Sequence, residues 1–255
     1  IKITHASEII EMGEAPGQAI RKKKKSSIVL AVDAVAKGSS DAVVAAGSTG
    51  AAMASSLFGL GRIPGIERPA IAVTLPTMKK PIVVIDAGAN SSCTPQMLKQ
   101  FAIMGLTFSK NVLGVENPRV GVLNIGEEAG KGNELAQNTY KLLEQEQGNM
   151  NFVGNIEGRE IFLNVCDVIV CDGFVGNVAL KITEGTSSML FRMIKAEFKS
   201  DFVGAIIGML AKPFMKRIYE KINYEEFGGA LLLGVKGITI ISHGRSKAYA
   251  IKNAV

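Results

Sequence analysis

The stretch that most constrains this chain runs from Asp167 to Gly185, DVIVCDGFVGNVALKITEG. Four apolar residues of strand type, Val168 to Cys171, run into Asp172-Gly173, and from Asn177 the pattern reads as a helix. A buried strand therefore turns sharply into a helix start. Such a junction aims several backbone N–H groups and the positive end of the helix dipole at one spot, which suits an anion. Asn177 and Lys181, four residues apart, add an amide and an ammonium on one helical face beside it.

The same grammar recurs along the chain. Ser26 or Ser27 caps a helix from Ile28 to Ala36, and Ala42 to Ala46 reads as a short buried strand. Gly47-Ser48-Thr49-Gly50 then turns into a small-residue helix, where the hydroxyls either hold phosphate or cap the helix. Ala70 to Leu75 and Ile82 to Ile85 are strands; the second ends at Asp86, with Gly88 and Asn90 in the turn before a helix from about Pro95 to Lys110. A carboxylate at that end of a strand lies where open α/β sheets bind ligands, or it simply caps the turn. Arg119 to Ile125 is the next strand, and GEEAGKGNE leads to a helix from about Glu134 to Glu146. Gly126, Gly130 and Gly132 let backbone approach a ligand with Lys131 between them, but the spacing is neither a Walker motif nor GxGxxG.

Phe152-Val153 begins a short strand and residues 154–160 read as a loop; near the end, YEEFGG (224–229) is a turn and Ala230 to Val235 and Ile238 to Ser242 are strands. His243-Gly244 opens a final helix, with His243 either a general acid at a strand end or a turn histidine. Strand, glycine turn and helix in repetition predict an α/β fold with a parallel sheet covered on both sides and one site that collects the turns.

At 255 residues and 47% apolar composition the chain supports one large α/β domain, here read as spanning 1–255. Its start at Ile1 without methionine and its end at Val255 in mid-pattern read as a piece lacking both natural ends. Cys93, Cys166 and Cys171 form no CxxC pair and only two histidines exist, which disfavours a disulfide framework or a zinc site. No apolar run reaches a membrane span of roughly 18 residues, and no signal peptide pattern opens the sequence, so the cytoplasm is the expected compartment. The basic run Arg21 to Lys25 has no interleaved aromatics to stack bases; a solvated surface or an acidic protein partner fits it better than nucleic acid.

After Gly185 the character changes. A helical region from Thr186 to about Asp201 precedes the apolar segment Phe202 to Ala211, and residues 192–221 hold seven Lys or Arg against three Asp or Glu, a net +4. Phe202, Ile206, Ile207 and Leu210 with Lys212 and Lys216 suit an anionic bilayer surface, while a helical hairpin buried between subunits is the alternative. The protrusion is expected at about 186–223.

Taken together, GSTGA (47–51), DAGAN (86–90), GVLNIGEEAGKGNE (121–134), EGREI (157–161), CDGFVGNVALKITEG (171–185), FGGALLLGV (227–235) and HG (243–244) closely resemble PlsX, the bacterial phosphate acyltransferase family. The similarity covers essentially the whole chain. It implies an α/β/α sandwich with a mostly parallel sheet, similar to isocitrate-dehydrogenase-like and phosphotransacetylase folds, in a homodimer without metal or nucleotide cofactor. It also implies transfer of a fatty acyl group from the phosphopantetheine of acyl carrier protein to inorganic phosphate, giving acyl phosphate for a membrane glycerol-phosphate acyltransferase. The family's amino-terminal strand and its Asp- and Gly-rich turn are absent here, and Arg245 stands where the family usually has serine.

By resemblance and by chemistry, Lys131 is assigned to phosphate and the developing oxyanion, and the Asn177 amide to the thioester carbonyl or a phosphate oxygen. Ser48, Thr49, Asp86, Asn90, Gly126, Gly132, Asn133 and Gly173 form the surrounding cradle, with Asp86 orienting a donor and Lys181 behind. His243 is a secondary candidate as general acid, and Cys171 is the rival covalent nucleophile, disfavoured because apolar burial raises a thiol pKa. A phosphotransacetylase acting on short acyl-CoA, or a nonenzymatic membrane-bound protein, are the competing readings.

Overall fold

The computed structural model describes residues 2–146, 148–222 and 228–255. Eight strands form one sheet: β1 (Ala42–Ala45), β2 (Ala70–Leu75), β3 (Ile82–Ile85), β4 (Arg119–Asn124), β5 (Asn151–Glu157), β6 (Val168–Val170), β7 (Ala230–Leu233) and β8 (Ile238–Ile241). The helices are α1 (Pro16–Lys22), α2 (Ser27–Ala36), α3 (Thr49–Gly59), α4 (Pro95–Asn111), α5 (Glu134–Glu144), α6 (Gly173–Glu197), α7 (Phe202–Ile222) and α8 (Ala248–Ala254). Of the turn expected at 224–229, residues 224–227 lie outside the described residues.

The sheet order is β1-β8-β7-β2-β3-β6-β4-β5. Four pairings are parallel (β1–β8, β3–β6, β6–β4, β4–β5) and three antiparallel (β8–β7, β7–β2, β2–β3). The mostly parallel α/β sandwich therefore holds, with one consequence that the sequence pattern hid. Three successive reversals make β1 and β8 run opposite to β3, β6, β4 and β5, so the turns after β1 and β8 leave the far rim of the sheet.

The central strands are apolar throughout because both faces are covered. Val83 and Ile85 of β3 and Val168 and Val170 of β6 face a core with Leu98 and Phe101 of α4 and Leu143 of α5. The alternate residues Ile82, Val84, Ile169 and Cys171 face Ile161 and Cys166 of the segment after β5, together with Leu180 of α6. Gly105 lets α4 press on the sheet, since a Cβ there would lie 2.6 Å from Val168 Cγ1. On the other half α3 covers the sheet, with Ser56 Oγ and Thr239 Oγ1 hydrogen-bonded at 2.9 Å.

At the starts of β4 and β6, Arg119 grips Asp167 through Nε and Nη2 at 3.0 and 3.2 Å, and its backbone N–H donates to the same carboxylate at 2.8 Å. Burial pushes the Asp167 carboxyl up, but the guanidinium and backbone bonds outweigh it and hold the group below its ordinary value.

Several boundaries differ from the sequence expectation. The helix after β6 begins at Gly173, four residues before Asn177, because the Asp172 carboxylate accepts the Val175 N–H at 2.8 Å and starts it there. It then continues unbroken to Glu197, so the region expected as a separate helix from Thr186 is its second half. β5 extends through residues 154–157, read above as loop, with Gly154 at φ +94° where the register with β4 shifts. His243-Gly244 opens no helix; α8 starts at Ala248.

The outer half of α6 and α7 form a hairpin joined by Phe191 against Tyr219, ring centroids 5.4 Å apart, and by Phe198 against Gly208. Phe202 and Leu210 are 81% and 70% exposed, Ile206 and Ile207 about half, and Lys212 and Lys216 are in solvent. No helix among the described residues is long and apolar enough to cross a membrane.

Two glycines of α6 supply opposite expectations. A Cβ at Gly176 would collide with the backbone carbonyl oxygen of Asp86 and lie 2.9 Å from Cys171 Sγ, whereas Gly185 has nothing within 4 Å. Gly176→Ala should cost about 1–3 kcal/mol or more, and Gly185→Ala should add about 0.5–1 kcal/mol. Denaturant titration of both variants tests this, and equal effects would contradict the interlock. Because the folded Asp167 value lies below the unfolded one of about 3.9, its stabilisation is present above that pH and lost as pH falls through the folded value. Thermal melts between pH 6 and 2.5 should show an acid limb that is shallower in Asp167→Asn.

Candidate active site

Three neighbouring parallel strands, β3, β6 and β4, deliver their C-terminal turns to one rim. In the first turn Asp86 is fully buried. Its Oδ1 accepts the N–H groups of Ile71, Gly88 and Ala89 at 3.0–3.2 Å, and its Oδ2 accepts the backbone N–H and side-chain amide of Asn90 at 2.7 and 2.9 Å. Burial pushes its carboxyl above the ordinary value, and these N–H groups offset only part of the rise. The Asn90 amide nitrogen also donates to Pro69 O at 2.8 Å. Asp86 and Asn90 thus shape the turn, and Asp86 meets no solvent through which to touch an anion.

The second turn packs onto the first. Gly173 N–H donates to Asn90 O at 2.8 Å, and a Cβ on Gly173 would lie 2.8 Å from Asn90 N, Asn90 O and Asp86 Oδ2. One turn along α6, Asn177 is exposed and stands beside Gly88: a Cβ built there would be 3.5 Å from Asn177 Cβ and Cγ. At φ +131° Gly88 occupies a conformation that suits glycine. Lys181, one further turn along, is ion-paired, its ammonium 2.8 Å from Glu184.

The third turn is the glycine loop after β4. Lys131 is exposed, has no ion pair among the described residues, and folds its stem across Gly126, whose Cβ would be 3.0 Å from Lys131 Cγ. The loop's carbonyl oxygens are occupied by side-chain amides. Asn155 donates to Glu128 O at 2.8 Å, Gln137 to Gly130 O and Gly132 O at 2.9 and 3.1 Å, and Asn124 to Lys131 O at 3.1 Å. Asn133 caps α5 by accepting the Ala136 N–H at 2.9 Å.

Between the second and third turns opens a cleft of about 330 Å³ lined by Asn124, Gly132, Asn133, Asp172 and Val175 above apolar residues. Lys131 and Asn177 do not line it; Lys131 precedes the lining residue Gly132, and Asn177 follows the lining residue Val175 by two positions on α6. Chemically, the segments that line the cleft carry an ammonium, a carboxamide and the N-termini of α5 and α6, groups that suit anionic or carbonyl oxygens.

The remaining expected site residues are not gathered there. Ser48 caps α3, its Oγ accepting Ala51 N–H at 3.3 Å, and Thr49 follows it, at the end of β1, four strands from β3 on the far rim. His243 lies on that same far rim and accepts Arg245 N–H at Nδ1, 3.2 Å away, as a turn histidine. The reason is strand polarity: the antiparallel β2 and β7 reverse the sheet between the two groups. All three thiols are suppressed by burial, Cys93 and Cys166 pushed up to about 12 and Cys171 well above its ordinary value. Among the described residues no group of three His, Cys, Asp or Glu is placed to hold a metal.

Sequence reasoning missed Asn124, Gln137 and Asn155, which hold the glycine loop, and Asp172 as the cap of α6. Asn124, a polar residue closing an apolar strand before glycine, was a usable signal. Asn155 and Gln137 had none, since their partners are set by tertiary contact.

The fatty acid synthesis protein family matches residues 1–255. Proteins named phosphate acyltransferase from Halothermothrix orenii and Dictyoglomus turgidum are 53% and 51% identical, each alignment spanning all of this chain and 76% of the relative. In solved structures, a phosphotransacetylase from Streptococcus pyogenes aligns with TM-score 0.61 and 17% identity over 95% of this chain and 72% of that one. The EutD phosphotransacetylase from Staphylococcus aureus gives 0.59 and 14% over 92% and 67%. At those identities they speak for the fold alone. With three strand-end turns at one rim and half its residues shared with curated phosphate acyltransferases, the chain belongs to the fatty acid synthesis protein family of phosphate acyltransferases, the family resembled by its motifs, and is an acyltransferase.

Proposed function

We propose that the chain transfers a fatty acyl group from acyl carrier protein to inorganic phosphate, releasing acyl phosphate for phospholipid synthesis. The observation that carries this reading is that the turn after β4, which bears the exposed Lys131, and the start of α6, which bears the exposed Asn177 carboxamide, line one cleft, and that Lys131 has no ion pair among the described residues. Phosphate is a competent nucleophile at neutral pH, so the chemistry requires placement and charge neutralisation more than an activated side chain.

In the proposed step a phosphate oxygen attacks the thioester carbonyl carbon, the C–O bond forms, and the C–S electron pair leaves with the pantetheine sulfur. Lys131 neutralises phosphate and the oxyanion, while Asn177 Nδ2 donates to the same oxygen as its charge grows. With a thiol value near 8.5, the thiolate leaves and takes its proton from water; His243, on the far rim, is not needed. Cys171 takes no covalent part, because a thiol held neutral by burial, with Sγ directed at Asp86 O 3.5 Å away, is a poor nucleophile.

Outside the cleft, the apolar tip Phe202, Ile206, Ile207 and Leu210 with Lys212 and Lys216 supports peripheral attachment to an anionic cytoplasmic membrane, where the product meets a membrane glycerol-phosphate acyltransferase. Met189, Leu190 and Met193, each half exposed on α6, support a second copy of the chain as the neighbour along the hairpin.

Lys131→Ala and Asn177→Ala should each lower acyl phosphate formation about 100- to 1000-fold with unchanged melting, while Cys171→Ala keeps turnover. Full activity in both of the first two would defeat the assignment, and loss in the third would require a covalent route. Running acyl carrier protein and acyl-CoA donors side by side separates this reading from a short-chain phosphotransacetylase. Ile206→Glu with Leu210→Glu should reduce sedimentation with phosphatidylglycerol vesicles by about tenfold or more, given about 1.5–3 kcal/mol per buried apolar side chain; undiminished sedimentation would remove the tip from the membrane contact.

A further inference from the structure

We propose that the cleft between the ends of β4 and β6 is the binding site for the acyl chain of the donor, and that Leu98, Leu135, Ala136 and Val175 set which chain lengths are used. This rests on the acyl-transfer reading above, since it names what lies behind the reacting carbonyl. At about 330 Å³ the cleft sits at the lower end of small-ligand sites, about 300–1,000 Å³.

Its chemistry selects an aliphatic occupant. No lysine, arginine or histidine lines it. The polar residues that do are turned to their own backbone: Asn124 donates to Lys131 O and accepts Ile125 N–H, Asn133 accepts Ala136 N–H, and Asp172 accepts Val175 N–H. A nucleotide or another anion would find no positive counter-charge in it, whereas methylenes require none. The remaining wall is Leu98 and Val122, each 2% exposed, with Leu123, Leu135 and Ala136.

Around the mouth stands an exposed apolar lip. Ile125 is 81% exposed, Phe174 65% and Val178 42%, at the first residue after β4 and on the first turns of α6. These are the elements that carry Lys131 and Asn177, so a thioester whose carbonyl lies between those two side chains has its acyl tail at the lip and its first methylenes in the cleft. The same arrangement keeps the pantetheine arm on the solvent side.

Two measurements test the assignment. With saturated acyl donors of increasing length and inorganic phosphate, kcat/KM of the unmodified chain should climb about fourfold per methylene, equal to about 0.8 kcal/mol, and level off once the cleft is full. Ala136→Phe should bring the plateau to shorter chains and lower long-chain kcat/KM roughly 10- to 100-fold, leaving the acetyl donor within about twofold. Independently of turnover, fluorescence titration with cis-parinaric acid should show saturable binding that weakens about tenfold or more in the same variant. Where Ala136→Phe fails to fold, Val175→Phe at a 38% exposed position provides the obstruction.

An unmodified chain length profile together with unaltered parinarate binding in a folded variant overturns the cleft assignment and leaves phosphate acyl transfer standing. Absence of acyl phosphate from every donor, with parinarate binding that Ala136→Phe weakens, would instead overturn the reaction and keep the apolar site.

Discussion

The candidate site depends on one buried carboxylate. Asp86 sits without solvent at the end of β3 and gathers five N–H groups from Ile71 in β2, from its own turn and from the Asn90 side chain. An unpaired charge in that position would be expelled or neutralised; five donors make it tolerable and fix the turn in return. Gly173 and Gly176 then bring the start of α6 into contact with this turn at distances that leave no room for a Cβ. The position of Asn177 follows from that contact, and through Asp172 so does one wall of the cleft. Asp86 acts on the chemistry through geometry alone.

Much of this was legible in the sequence, and the failures share a cause. Strand runs such as IVVI and VIV, closed by Asp-Gly or Gly-rich turns, carry local information, and β2 and β3 begin and end at the residues read from the pattern. What local pattern does not contain is which neighbour a strand takes and in which direction. Both β2 and β7 are as apolar as the parallel strands, yet they pair antiparallel and turn β1 and β8 around, so Ser48, Thr49 and His243 go to the other rim. The late reading of α6 has a different origin. Gly173 and Gly176 depress helix propensity, and tertiary packing against Asp86 overrides it.

The site's chemistry is consistent with its electrostatics. Cys166 and Cys171 are buried, Cys93 is half-buried, and all three are held neutral, while Lys131 and Asn177 are exposed in the segments that follow β4 and β6. A reaction needing a strong protein nucleophile would invert that distribution. In the proposed step, the apolar lining of the cleft would also remove water from one side of the reacting carbon, which would strengthen each remaining dipole.

The glycine loop after β4 has a property that follows from where its oxygens go. Four carbonyls, those of Glu128, Gly130, Lys131 and Gly132, are tied down by the amides of Asn155, Gln137 and Asn124. Lys131 N–H turns back to Glu128 O at 3.0 Å, and the other three amide hydrogens of these peptide groups, on Ala129, Gly132 and Asn133, are left to polarise a segment with no regular structure like the first turn of a helix. Three scattered amides thereby do for an irregular segment what repetition does for a helix, and the loop can meet a negative guest without first rearranging.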